Sequence, residues 1–484
     1  MRHKTTLHRR FANGGADYVY LTQSAAVLRL DEVSAAILEA FDRPEGAEPA
    51  EIVPWLAAER GIVDAKETFG EMVGLGMVRP VGEILPPAPE LPPMPFPLAT
   101  LVLNVTNKCN LSCTYCYEYG EDKISDQAKA RAPLMTLEVA KQSIDFLLKS
   151  AAGRPEVSIT FFGGETLLNF PAVKEAALYA EKRAEEEGKK VSFALTTNAT
   201  LLVDEVIDFL TAHNFGVNVS IDGAKSDQDR HRVFKSGAGS YDLIAPRVRK
   251  LLAAAKARGS RPVGARVTLT AGSSGVREIY RHLADDLGFY EVGFAPVTSA
   301  AERDYALETP DYATMLAEFA ALTADFVRAA KDGKHHGFSN MNDLIRELHT
   351  GTSKAHPCGA GLGLLGVSTE GKLGLCHRFV ESGAHEVGDI VGGIDEDKRG
   401  DFLRAGHIDK KTDCASCFAR PLCAGGCYHE AFVRYGDASR ANLHYCDYIR
   451  AWTDLGLEAY AQIMDANPAF FERYEGAVVQ GERL

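Results

Sequence analysis

Three cysteines, Cys109, Cys113 and Cys116, share one short stretch with the spacing C-x3-C-x2-C. Thiolates spaced this way can hold three irons of a 4Fe-4S cube and leave the fourth iron without a protein ligand, which makes it a chemical site. A structural zinc or a plain electron-transfer cluster normally takes four protein ligands, and no fourth cysteine is near. The other seven cysteines are Cys358, Cys376, Cys414, Cys417, Cys423, Cys427 and Cys446. Read with Gly371 they spell C-x12-G-x4-C, a gap, C-x2-C-x5-C-x3-C, a gap, and C. A pair of zinc ribbons uses similar C-x2-C units and is the structural alternative.

The elements that position these cysteines are legible from periodicity. Strands are expected at 100–105, 157–162, 191–195, 217–221, 263–270 and 290–296, with amphipathic helices between them. Six βα units favour a parallel sheet with right-handed crossovers, whose active site belongs at the carboxyl ends of the strands. The first cysteine group directly follows the first of these strands. Residues 1–82 form a separate small unit, with strands at 18–21 and 26–30 and helices at 32–41, 50–60 and 65–75. A Pro-rich spacer (83–98) follows it. The αβ region covers 99–300 and a helical bridge 301–356. A Cys- and Gly-rich region at 357–450 has too little apolar core to stand without metal, and 451–484 is a helical tail.

The bulk numbers narrow the partners. A chain of 484 residues exceeds the size of one core, and the formal charge of -13 excludes a nucleic-acid groove as the main function. No window is apolar and long enough to span a bilayer, and no signal-peptide core follows the basic start, so the expected location is the cytoplasm. Closely spaced cysteines in that reducing compartment bind metal or do redox work rather than form disulfides.

Three further segments sit at strand ends in order: Phe162-Gly163-Gly164-Glu165, Thr196-Thr197-Asn198, and Ser220-Ile221-Asp222-Gly223, followed by Arg232 to Tyr241. Together with Cys109, Cys113 and Cys116, and with Tyr115 before the third cysteine, they resemble the radical S-adenosylmethionine (SAM) superfamily. The fold this implies is α/β, a partial (β/α)6 barrel. The resemblance also implies SAM bound at the open iron. Gly163, Gly164 and Glu165 would face its amino group, and Ser220 and Arg232 the carboxylate and ribose, with Asn198 at the intervening strand end; Arg266 is an alternative to Arg232. The seven later cysteines resemble the SPASM domain, an auxiliary-cluster module of peptide-modifying radical SAM enzymes. By that analogy Cys414, Cys417, Cys423 and Cys446 hold a distal auxiliary cluster, and Cys358, Cys376 and Cys427 a proximal one, giving three 4Fe-4S clusters in all. The proximal cluster is one protein thiolate short, a gap open to His349, His356 or a substrate thiolate.

Residues 1–82, with Arg9-Arg10-Phe11, Tyr18-Val19-Tyr20-Leu21 and Gly74-Leu75-Gly76-Met77-Val78, resemble the winged-helix-like recognition element related to the pyrroloquinoline-quinone chaperone. Such a module holds a leader peptide by strand addition; a DNA-binding winged helix is the alternative. The three modules together are similar to the family of quinohemoprotein amine dehydrogenase maturation proteins, and Cys116 to Lys123 adds to the likeness. That family is understood to link cysteine sulfur to the methylene carbon of Asp or Glu within the small subunit of that dehydrogenase. The implied partners are a leader-bearing small polypeptide rich in Cys and Asp/Glu, and a flavodoxin- or ferredoxin-type electron donor. Two other readings stay open: a formylglycine-generating anaerobic sulfatase-maturing enzyme or other thioether-forming peptide maturase, and a cluster-bearing electron-transfer or scaffold protein. No catalytic base is legible.

Overall fold

The computed structural model describes residues 1–83, 96–117, 124, 133–273 and 275–479. Most of the Pro-rich spacer, and the stretch from 118 to 123, lie outside the described residues.

The amino-terminal unit contains strands β1 (His3–Thr5), β2 (His8–Asn13), β3 (Ala16–Leu21), β4 (Ala26–Leu30) and β5 (Val78–Pro80). Strands β2, β3 and β4 form an antiparallel sheet in that order, and β1 pairs with β5. The helices Glu32–Phe41, Pro49–Glu59 and Ala65–Gly74 cover it. Asp31 starts the first helix, its carboxylate accepting from the Ser34 N–H at 2.7 Å. Val19, Leu21, Ile37, Leu38, Phe41, Leu56, Met72 and Val78 form a core of the unit's own. Strand β2 escaped the periodicity reading because His-Arg-Arg-Phe-Ala-Asn alternates weakly, as an edge strand can.

The central sheet begins with β6 (Thr100–Thr106), β7 (Glu156–Gly163), β8 (Lys190–Thr197), β9 (Gly216–Ser220), β10 (Gly264–Leu269) and β11 (Glu291–Pro296). All six are parallel neighbours in chain order, the succession expected of six βα units. Every residue of β6 is buried, as a central parallel strand covered on both faces requires. The reason lies in the Cys-rich region, which contributes β12 (Leu364–Val367), β13 (Lys372–Gly374), β14 (Glu386–Asp389) and β15 (Gly393–Ile394). Strand β12 pairs parallel with the free side of β6, and the others follow antiparallel, so the sheet has ten strands. The motif glycine Gly371 is the left-handed turn (φ 87°) of the β12–β13 hairpin.

The bridge consists of two helices, Thr309–Lys331 and Ser339–His349, split where Gly337 accepts the Val292 N–H of β11. A long helix, Cys446–Ala466, packs on both and carries the tenth cysteine at its first residue. It also docks the amino-terminal unit: Arg9 donates twice to Asp454 at 2.8 Å, and the Tyr18 hydroxyl donates to Asp465. Among the described residues no helix is long and apolar enough to cross a membrane.

Candidate functional site

The first cysteine group lies on the loop leaving β6, at the carboxyl end of the parallel sheet. Cys116 N–H donates to the Cys113 carbonyl, the tight turn that C-x2-C spacing allows. Ser112 and Thr114 N–H groups donate to Val233 and His231, which fastens the loop to the segment carrying Arg232. The three thiols feel one another, and burial pushes those of Cys109 and Cys113 up. Arg232 opposes that rise at Cys113. The Asn198 amide donates to the Cys109 sulfur at 3.8 Å and to Asn110 at 3.0 Å.

The glycines of the second segment are set by packing. Gly163 has φ 138°, and a Cβ there would stand 2.5 Å from the Thr106 carbonyl oxygen. That same oxygen accepts the Gly164 N–H at 3.1 Å, and the Glu165 N–H reaches the Lys108 carbonyl. The Glu165 side chain is buried and spent within the protein. It accepts from the Thr197 hydroxyl (2.7 Å), the Asn198 N–H (2.7 Å) and the Leu167 N–H (3.0 Å), while burial raises its pKa. It therefore ties the ends of β7 and β8 to the cysteine loop.

Ser220 is half-buried at the end of β9, in register with Arg266 of β10. Arg266 is exposed and close to the Ser339 hydroxyl at 3.5 Å. Arg232 is elsewhere: it lies buried beneath Cys113, its Nε 3.0 Å from an Asp222 oxygen and its guanidinium over the Tyr115 ring. The Tyr115 hydroxyl donates to Asp222, and Asp222 also accepts the Thr268 N–H. Ser220 and Arg232 thus occupy different surroundings, and Arg266 is the arginine beside Ser220. Asp222 has a central part that its quoted motif alone did not reveal.

The remaining thiols sort into two sets. Cys376 feels Cys427 and Cys358; Cys423 feels Cys414, Cys446 and Cys417. All ten cysteines are free. Cys358 keeps exposed surface and feels Cys427. His377 and Arg378, next to Cys376, were not singled out from sequence. The His377 ring packs on Phe162 at 4.5 Å, and burial holds it down to about 3. Arg378 lies over the Tyr117 ring at 4.2 Å and donates to Thr298. These two residues join the Phe162 end of β7 and Tyr117 of the first cysteine loop to Cys376. His356 bonds Tyr428 through Nδ1 at 2.7 Å, while its buried Nε2 has no hydrogen-bond partner. His349 is stacked on Phe471 and lies against Tyr460 and Tyr474.

Among the described residues no three His, Cys, Asp or Glu side chains converge tightly enough to chelate one ion. A cube of irons makes a different demand, because each thiolate binds its own iron and the sulfurs stand wider apart.

Residues 103–285 match the Radical SAM superfamily. A serine-type anaerobic sulfatase-maturating enzyme of Bacteroides thetaiotaomicron is 33% identical over 149 residues, which are 31% of this chain and 35% of that protein. The chain thus aligns with about a third of that relative's length. Native anSMEcpe with bound AdoMet and Cp18Cys peptide superposes with a TM-score of 0.61 at 20% identity, over 79% of this chain and 99% of the other. Streptococcus suis SuiB bound to precursor peptide SuiA gives 0.51 at 14% identity, over 92% and 100%. At these identities the structures establish a shared fold.

Proposed function

We propose that this chain, with a radical SAM domain at 103–285, modifies a peptide or protein substrate by radical chemistry. The observation that supports this is ten free thiols of which Cys109 senses Cys116, Cys376 senses Cys358 and Cys427, and Cys423 senses Cys414, Cys417 and Cys446. Cys109, Cys113 and Cys116 would hold the SAM-binding 4Fe-4S cluster. Cys358, Cys376 and Cys427 would hold the proximal auxiliary cluster, and Cys414, Cys417, Cys423 and Cys446 the distal one. Bound SAM, cleaved by an electron from the first cluster, supplies a 5'-deoxyadenosyl radical that abstracts a hydrogen atom.

The chain's own residues aim and shield that chemistry. Asn198 donates to the Cys109 sulfur, and such a bond tunes a cluster. Gly163 lets the end of β7 close onto Thr106, and Glu165 ties that end to Thr197 and Asn198, so together with Gly164 they would hold the backbone at which SAM's amino end would lie. Ser220, with Arg266 beside it in register, would offer hydroxyl and guanidinium donors to the carboxylate and ribose, a pairing that charge-assisted bonds favour.

The finer reading is formation of intrapeptidyl thioether links between cysteine and an Asp or Glu methylene carbon in the small subunit of quinohemoprotein amine dehydrogenase. It is supported by the three-part layout, with a β2–β3–β4 sheet in residues 1–82 whose edges suit strand addition by a leader. The printed partners of anSMEcpe and SuiB, a peptide and a precursor peptide, support a polypeptide substrate. A flavodoxin- or ferredoxin-type protein would supply electrons in the cytoplasm. A second reading, conversion of Cys or Ser to formylglycine, is favoured by the likeness to the sulfatase-maturating enzyme. Both readings require reductive SAM cleavage. Anaerobic incubation with SAM and dithionite should release 5'-deoxyadenosine from wild type and none from Cys109→Ala, Cys113→Ala or Cys116→Ala; equal release from all four would defeat the proposal.

A further inference from the structure

A single buried ammonium lies between the two carboxyl-terminal sets of thiols. Lys411 is 5% exposed. Its backbone carbonyl accepts the Cys414 N–H at 2.9 Å, so the residue is fixed at the entry to the four-thiol set. Its side chain then crosses the segment Cys423-Ala424-Gly425-Gly426-Cys427, which runs from the four-thiol set to the three-thiol set. Nζ donates to the Ala424 carbonyl at 3.1 Å and lies 5.1 Å from the centre of the Tyr428 ring. A Cβ on Gly425 would stand 2.7 Å from Nζ, so the lysine occupies the space that the glycine leaves free. Ala424, Gly425 and Gly426 all have positive φ (47°, 85° and 83°), which bends the segment around the ammonium.

An ammonium removed from water is costly unless opposite charge compensates it. No carboxylate among the described residues pairs with this one; Asp437 senses it only from beyond ion-pair distance. The segment that wraps its ammonium begins at a thiol of one set, Cys423, and ends at a thiol of the other, Cys427, while the Lys411 carbonyl holds the Cys414 N–H. The compensation is therefore shared between two centres.

We propose that Lys411 is a positioning residue whose one positive charge serves both auxiliary clusters, raising both reduction potentials together. The inference rests on the cluster assignment under Proposed function. Each cluster takes one electron and becomes more negative by one charge, and a fixed cation beside its thiolates stabilises the reduced form. Because the same ammonium faces both centres, it acts on the two potentials in the same direction. Electrons surplus to bond formation at the substrate then find both acceptors more oxidising than they would be without the ammonium.

The test uses the full-length protein carrying Cys109→Ala, Cys113→Ala and Cys116→Ala, so that only auxiliary clusters contribute. Iron content and electron paramagnetic resonance during a dithionite redox titration are compared with Lys411 intact, Lys411→Met and Lys411→Arg. The expected result is a shift of both midpoint potentials to more negative values in Lys411→Met, and midpoints near the parent's in Lys411→Arg. Loss of iron from both centres in Lys411→Met, with full iron and parental midpoints in Lys411→Arg, also supports the shared charge. A shift at one centre only, no shift at either, or loss of iron in both variants overturns it. A parent protein that holds no auxiliary cluster at all would instead show that the cluster assignment is wrong.

Discussion

Replacing Gly163 by alanine tests whether the cysteine loop depends on a backbone approach that only glycine allows. At φ 138° an L-residue is strained by about 1–3 kcal/mol. The added Cβ would also meet the Thr106 carbonyl oxygen at 2.5 Å, and that oxygen is held by the Gly164 N–H. Forcing backbone apart in a packed sheet costs about 1–3 kcal/mol more, so Gly163→Ala should lose about 2–6 kcal/mol in total. Gly188→Ala is the control, because Gly188 has φ 64° and nothing within 4 Å of its would-be Cβ; it should lose only about 1–2 kcal/mol. Thr106 also receives the Lys108 N–H, one residue before Cys109, so the displacement reaches the cluster loop. Anaerobic denaturant titration gives the stabilities, and iron analysis should show roughly four irons fewer per chain in Gly163→Ala alone. A Gly163→Ala protein no less stable than Gly188→Ala, with full iron, would refute the reasoning.

Cys427→Ala should remove roughly four irons while leaving the signals of the other two clusters, because Cys427 and Cys358 both act on Cys376; iron analysis with electron paramagnetic resonance decides. Deleting residues 1–82 should leave 5'-deoxyadenosine release largely intact and sharply weaken binding of a leader-bearing peptide, since that unit has its own core; unchanged peptide affinity would remove the leader role. Burial holds His385 down to about 4, against an ordinary value near 6.5. The unfolded chain then takes up the proton first, so stability present above pH 6.5 is lost as pH falls toward 4, by about 2 kcal/mol between pH 7.5 and 5. Denaturant titrations at the two pH values should show that loss shrink in His385→Gln.

The sequence was most legible where chemistry is local. Cys109, Cys113 and Cys116 could be read together because they share one loop, whereas Cys358, Cys376 and Cys427 come from three separated segments and were grouped only by resemblance. The six parallel strands were legible because buried β6 to β11 are apolar runs between amphipathic helices. What lay hidden depended on long-range pairing. Nothing in Leu364–Val367 announces that β12 will extend the sheet beside β6, since a four-residue apolar run fits many partners. Arg232 and Glu165 stood in expected motifs, yet the structure commits one to Asp222 and the other to Thr197 and backbone amides. Lys411 gave no signal at all, because a lone lysine is distinguished only by what folds around it.

The measurement closest to the central claim is mass spectrometry of a small polypeptide rich in cysteine and acidic residues, co-expressed anaerobically with this chain. The expected result is a loss of two hydrogens for each thioether formed, mapped by fragmentation to a cysteine and an Asp or Glu, and absent with Cys109→Ala. A mass change that maps to formylglycine would contradict the thioether reading, and an unaltered peptide despite SAM cleavage would contradict the choice of substrate.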